Sequence, residues 1–152
     1  MNLKKLSLII LTTVFLASCG GDKNEKNSTT PKKEVKKEVI VDPMQDKGIG
    51  PVKSLTLGPI NQALADKGKV EFKAKCKACH RVNKRYIGPS PKGITERRSP
   101  EWIMNMILNP EEMVQKNAAA KKLLMEYSAP MANQNLTQDQ ARAVLEYFRT
   151  LK

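Results

Sequence analysis

Cys76-Lys77-Ala78-Cys79-His80 is the stretch on which the reading of this 152-residue chain turns. Two thiols three positions apart, followed at once by an imidazole, make the C-x-x-C-H spacing of c-type haem attachment. Each thiol can add to one vinyl group of a porphyrin, and His80 then lies under the iron with a ring nitrogen to offer. A thioredoxin-like pair would want alternating strands and helices and an apolar, Trp/Pro-containing context. A structural zinc site needs four ligands. Cys76, Cys79 and His80 are the only Cys or His residues beyond Cys19, so a carboxylate or water would have to complete it. A chance match within an ordinary helical domain is the bland alternative. The spacing favours one covalent haem per chain, held at Cys76 and Cys79 with His80 on the iron.

Composition agrees with that reading. The chain is 40% hydrophobic but only 5% aromatic, and a domain of about 90 residues is small for a self-sufficient core. A buried porphyrin would supply much of what is missing. The cysteine count closes as well: two for haem, one at Cys19, and none left to pair at random in an oxidising compartment.

Upstream, Lys4 and Lys5 precede an apolar run from Leu6 to Leu16, interrupted by Ser7, Thr12 and Thr13. That length suits a signal-peptide core and is too short to cross a bilayer. Leu16-Ala17-Ser18-Cys19 resembles a bacterial lipobox, which implies cleavage before Cys19 and lipid on its thiol. The bland alternative is an ordinary signal peptide with an incidental cysteine. From Gly20 to Pro59 the chain is polar, with 8 Lys against 6 acidic residues. Lys32-Lys33-Glu34-Val35-Lys36-Lys37-Glu38 cannot bury enough surface to offset its ordering entropy. The expected organisation is a lipoprotein signal over 1–18, an anchor and flexible tether over 19–59, and a folded domain over 60–152. The turn-rich segments at Gly48–Pro51 and Leu55–Pro59 are candidates to drape over that domain.

The domain reads as all-α. Gly68 to Ala78 carries Val70, Phe72 and Ala74 into the cysteine motif. Ser99-Pro100-Glu101 is a helix start, with Trp102, Ile103, Met106 and Ile107 at helical spacing behind it. Asn109-Pro110-Glu111-Glu112 ends that helix and opens another, expected to run to about Tyr127. Thr137-Gln138-Asp139-Gln140 is a capping box ahead of an apolar stripe at Ala141, Val144, Leu145, Phe148 and Leu151. No segment alternates, so no sheet is expected.

From Asp66 to Lys152 the chain resembles the class I monohaem cytochromes c. Gly68-Lys69-Val70-Glu71-Phe72 is similar to the family's Gly-x-x-x-aromatic first helix, and Tyr147 matches the partner aromatic near the chain's end. Gly88-Pro89 resembles the family's Gly-Pro, which implies that the Pro89 carbonyl orients His80. The resemblance places the sixth iron ligand at Met131, in a loop just before the last helix. The dipeptide order there is Pro130-Met131, where the family usually has Met-Pro. Met104, Met106, Met113 and Met125 fall within expected helices, where core filling is the plain reading; Met125 is the alternative ligand. The implied fold has four to five helices around the covalent haem, preceded by the tether.

A neutral thioether opposite an imidazole favours ferrous iron. With both axial positions filled, the implied function is outer-sphere electron transfer, with no catalytic residue. The alternatives are a haem enzyme or gas sensor with a displaceable sixth ligand, and a non-haem lipoprotein. From Lys67 to Arg98 there are 11 basic residues and 2 acidic ones, whereas Ser99 to Lys152 has 6 of each. That concentration reads either as solvated surface or as a basic rim that steers docking to an acidic redox partner. Nucleic acid is a poor fit, because no aromatic stacking residues interleave the charge. The expected location is exported, lipid-anchored on the periplasmic side of a membrane.

Overall fold

Asn61 begins the first helix by accepting the Leu64 N–H on its side-chain oxygen at 3.0 Å, which satisfies one of the donors a helix start leaves open. The computed structural model describes residues 42–152. The expected signal over 1–18, lipidation at Cys19 and the tether up to residue 41 lie outside the described residues. Among those described there are five α-helices and no strand. They are α1 Gln62–Glu71, α2 Pro100–Leu108, α3 Pro110–Lys116, α4 Ala118–Tyr127 and α5 Gln138–Arg149. A π-helical turn, Phe72–Cys76, continues α1, and a 3-10 turn spans Ile94–Glu96.

The α1–α5 crossing sets the frame. A Cβ on Gly68 would overlap the Ala143 carbonyl oxygen and lie 2.8 Å from the Val144 nitrogen, so only glycine lets the two backbones approach this closely. Phe72 then reaches Tyr147 at 5.6 Å and Phe148 at 5.7 Å between ring centroids, the second pair edge-on. Such geometry adds about 0.5–1.5 kcal/mol per pair beyond area burial. Thr137 and Gln140 form the capping box of α5. Ala141, Val144 and Leu145 are fully enclosed, as the stripe requires.

Four expectations need correction. Val70 is 66% exposed, because the i, i+4 pair that faces α5 is Gly68 and Phe72. The helix expected from Asn109 to Tyr127 is two helices. Asn117 breaks it in extended backbone (ψ 127°), and its side chain accepts the Ala120 N–H at 3.0 Å to start α4. Met125, expected as core filling, is 74% exposed.

The fourth correction concerns the tether. Residues 46–59, placed within the 19–59 tether with 48–51 and 55–59 as candidates to drape over the domain, are packed into the folded unit. Val52 is buried, and the Asn105 side chain pairs with its backbone: Val52 N–H donates to Asn105 Oδ1 at 2.9 Å, and Asn105 Nδ2 donates to Val52 O at 2.9 Å and Lys47 O at 2.8 Å. Ile49 N–H donates to Met113 Sδ at 2.9 Å and Leu55 N–H to Glu101 Oε1 at 3.0 Å. The segment satisfies part of its backbone with side chains of the domain instead of with a helix or sheet ladder.

Where this segment, a strap over the domain, runs into α1, Glu146 is wholly buried. Its carboxylate takes the Asn61 N–H at 2.7 Å and contacts Arg142 at 2.5 Å and Arg149 at 2.9 Å. Arg149 also donates to Gly58 O at 2.7 Å. Burial would raise the pKa of this carboxyl, but the Asn61 N–H and the two guanidiniums outweigh it and hold it below the usual range.

Candidate functional site

The π-turn re-aims the cysteine motif. Lys77 N–H bonds to Phe72 O, five residues back, at 2.9 Å. The extra residue in that turn rotates everything after it by about 100° relative to a continuous α-helix. Cys76 is thereby buried against Phe72, while Cys79 is exposed. The next turn closes through Cys79 N–H and His80 N–H, both to Cys76 O, at 3.1 and 2.9 Å.

His80 is fixed from behind. Its Nδ1 lies 2.7 Å from Pro89 O. A carbonyl can only accept, so Nδ1 carries the proton and Nε2 keeps the lone pair that a metal would take. Gly88 makes room for the ring: a Cβ there would come within 2.5 Å of His80 Cε1. Gly88 N–H is bonded to Cys79 O at 2.9 Å, so this loop is tied directly to the motif.

Cys76, Cys79, His80 and Pro89 line one mainly apolar cavity of about 220 Å³, together with Phe72, Trp102, Ile103, Met106, Ile107 and Phe148. Its other lining comes from α4 and the loop behind it, including Leu123, Leu124, Tyr127, Pro130 and Met131. The structure therefore brings both cysteines, His80, Pro89 and Met131 to a single cavity. Met125 is not among the lining residues, and Met104 and Met113 are enclosed in the core.

These residues fit a haem. The lining is apolar, two thiols lie one turn apart, one imidazole has a defined tautomer, and glycine clears the space beside it. They do not suit thiol redox chemistry. Burial, with smaller contributions from Glu71 and Cys79, pushes the Cys76 thiol up to about 11. A redox pair depends on a thiolate at neutral pH. Nor do the described residues hold a cluster of three or more His, Cys, Asp or Glu suited to a bare metal ion.

A second depression, of about 380 Å³, adjoins the first and shares Pro89, Ser90, Ile94, Leu123 and Tyr127 with it. Arg85, Lys92, Arg97 and Arg98 line it. The sequence showed the charge concentration over 67–98 but not which members converge. Also unread were the polar residues behind Trp102. Its indole N–H donates to Asn117 Oδ1 at 3.1 Å, and Asn117 Nδ2 donates in turn to the Asp46 carboxylate at 2.8 and 3.0 Å. Asn117 ahead of three alanines is an N-cap signal that could have been found; its link to Asp46 spans 71 residues and has no local signature.

The same chemistry recurs in known proteins. The family model for cytochrome c matches residues 65–152. A cytochrome c from Rhodothermus marinus is similar at 46% identity with a TM-score of 0.66, over 67% of this chain and 89% of that one. An engineered form of it bound to a carbene intermediate is similar at 46% identity with a TM-score of 0.63, over the same shares. A cytochrome c-553-like protein from Synechocystis sp. is 39% identical over 46 residues, which is 30% of this chain and 44% of that relative, so the match spans less than half of that protein. The chain belongs to the cytochrome c family, which carries a covalently attached c-type haem and works in haem-based electron transfer.

Proposed function

We propose that this protein is a lipid-anchored carrier of single electrons on the periplasmic side of a membrane, whose haem iron His80 and Met131 would hold. The observation that carries this reading is the single cavity lined by Cys76, Cys79, His80 and the only loop methionine of the domain, Met131. When bound, the haem supplies a reversible one-electron iron couple.

The chain's own residues do the rest. Cys76 and Cys79 hold the ring through thioethers. Pro89 O fixes the His80 tautomer and orientation. Met131 offers a soft, neutral sulfur that favours ferrous iron and keeps outside ligands away. With His80 and Met131 both holding the iron, no side chain would have to act as acid, base or nucleophile, and the protein would be a carrier rather than an enzyme. The cations at Lys92, Arg97 and Arg98 support docking to acidic surfaces of a reductase, oxidase or dehydrogenase, and would raise the encounter rate at low salt. Cys19 anchors the chain to the membrane, with two or more acyl chains giving a stable hold where one would be marginal.

The test is production with the haem-attachment machinery, followed by intact mass and carbon monoxide titration of the ferrous protein. One haem increment and no carbon monoxide binding are expected. Tight binding by the wild type would put the sensor or enzyme reading in its place. Cys19→Ser should move the protein from membranes to the soluble exported fraction.

A further inference from the structure

The loop that brings Met131 to the cavity is held by little of its own. Residues 129–136 reach outward, among the described residues, through one hydrogen bond, Asn133 Nδ2 to Leu108 O at 3.4 Å. Gln134 to Ala132 and Asn135 to Asn133 are internal to the loop. The loop's position is therefore set at its ends. At the far end Leu136 is buried and the capping box of α5 begins. The near end is the last turn of α4, where Ser128 turns the chain out in left-handed backbone at φ 52°.

Arg85 meets that last turn directly. Its Nη1 donates to Glu126 Oε1 and its Nη2 to the Glu126 carbonyl, each at 2.8 Å. Its guanidinium lies 4.0 Å from the centre of the Tyr127 ring. Arg85 itself belongs to the loop behind His80, which is pinned by Gly88 N–H to Cys79 O and Tyr86 N–H to Gly88 O at 2.9 and 3.1 Å. Ile87 from this loop and Tyr127 from α4 both line the cavity.

We propose that Arg85 is a positioning residue for the Met131 ligand, a clamp joining the His80 loop to the helix end from which the Met131 loop departs. The inference rests on the reading of Met131 as an axial ligand. A guanidinium can make two parallel bonds and stack on a ring at once; an ammonium cannot. Both partners are substantially exposed, and exposed pairs contribute little to global stability. The clamp therefore shows itself in how often the Met131 loop opens, not in the unfolding midpoint. An outside ligand binds the open form, so its apparent affinity rises in proportion to that population.

The experiment uses ferric haem-loaded protein titrated with imidazole, following the methionine–iron charge-transfer band. Arg85→Gln should bind imidazole about fivefold more tightly than wild type, with Arg85→Lys closer to Gln than to Arg. Thermal midpoints should change little. Imidazole affinity of Arg85→Gln within twofold of wild type would overturn the clamp. Should Arg85→Gln fail to fold, Glu126→Ala removes the side-chain contact to Nη1 and Tyr127→Leu removes the ring under the guanidinium, and each should tighten imidazole binding about twofold; no change in either overturns it. Met131→Ala separates the two readings. If it retains the band, the ligand assignment falls and the clamp with it. If it loses the band while Arg85→Gln titrates like wild type, the clamp alone falls.

Discussion

The side of the cavity that carries His80 and the side that carries Met131 are held by different means. His80 rests on a π-turn that continues α1, on backbone bonds from Cys79 and His80 to Cys76, and on Pro89 O and Gly88 behind the ring. That turn is fixed in turn by the α1–α5 crossing. Met131 lies in a loop with, among the described residues, one outward hydrogen bond, and with two buried or clamped ends. Covalent attachment and a fixed tautomer demand a rigid wall. If Met131 supplies the sulfur ligand proposed above, it needs only to be returned to the same place often enough. Damage on the first side should therefore appear as lost folding, and damage on the second as altered ligation in a folded protein.

The harshest test of that contrast is Gly68→Ala. The added methyl has no side chain to displace, only the backbone of Ala143 and Val144. The two helices must separate, at a cost of about 3 kcal/mol, the upper part of the range for overpacking. Chemical denaturation of the haem-loaded variant reads it, and stability within 1 kcal/mol of wild type would mean that the crossing is not the foundation of the His80 side.

Glu146→Gln comes next. It removes a buried charge that serves Asn61, Arg142 and Arg149 together. The two guanidiniums keep some access to water, so the expected loss is about 3 kcal/mol, the low end for breaking a buried pair. The carboxyl has a depressed folded-state pKa. Its stabilisation is thus complete above the ordinary glutamate value of 4.5 and is lost as pH falls through the lower, folded-state value. The wild type and Glu146→Gln stability curves should therefore be far apart at pH 7 and converge below pH 4.5. Parallel curves across that window would deny the carboxylate its role in holding the strap.

Met131→Ala should separate ligation from folding. The side chain is only partly buried against the core, so its removal should cost about 1–2 kcal/mol, below the range for a fully enclosed methionine. The charge-transfer band should vanish and carbon monoxide should bind, while the helical circular dichroism signal stays. Collapse of the helical signal would erase the difference between the two sides.

What the sequence disclosed follows the same division. The haem motif, the α5 stripe with its capping box, the Gly68–Phe72 spacing and the Gly88-Pro89 pair are local patterns, and each found its partner in the fold. What stayed hidden was non-local. Segments 48–51 and 55–59 could be read only as candidates to drape over the domain, because the partners of 46–59, Asn105, Glu101, Met113 and Asn117, lie more than 40 residues away and most are themselves polar. Burying a polar side chain leaves no periodic trace. Arg85 was one cation among eleven, and nothing in its neighbours shows that it meets Glu126 and Tyr127. The break at Asn117 was hidden by helix-forming residues on both sides, although its capping capacity was visible.

Met125→Ala carries the smallest expected effect and the sharpest question about the Met131 side. Met125 lies in α4, one turn before the loop, and as the alternative ligand it would have to reach the cavity. Its 74% exposure says that it faces outward, whereas its helix neighbours Leu123, Leu124 and Tyr127 line the cavity. Bringing residue 125 inward would need a rotation of α4 by about 100° or more, which would turn those three out and break the Arg85–Glu126 contact. An exposed methionine touching nothing essential should change stability by less than about 0.5 kcal/mol when truncated, and the charge-transfer band should be untouched. If instead the band disappears in Met125→Ala and persists in Met131→Ala, the sulfur on the iron belongs to α4. The Met131 side would then be a helix rather than a loop, and the contrast with the His80 side would lose its physical basis.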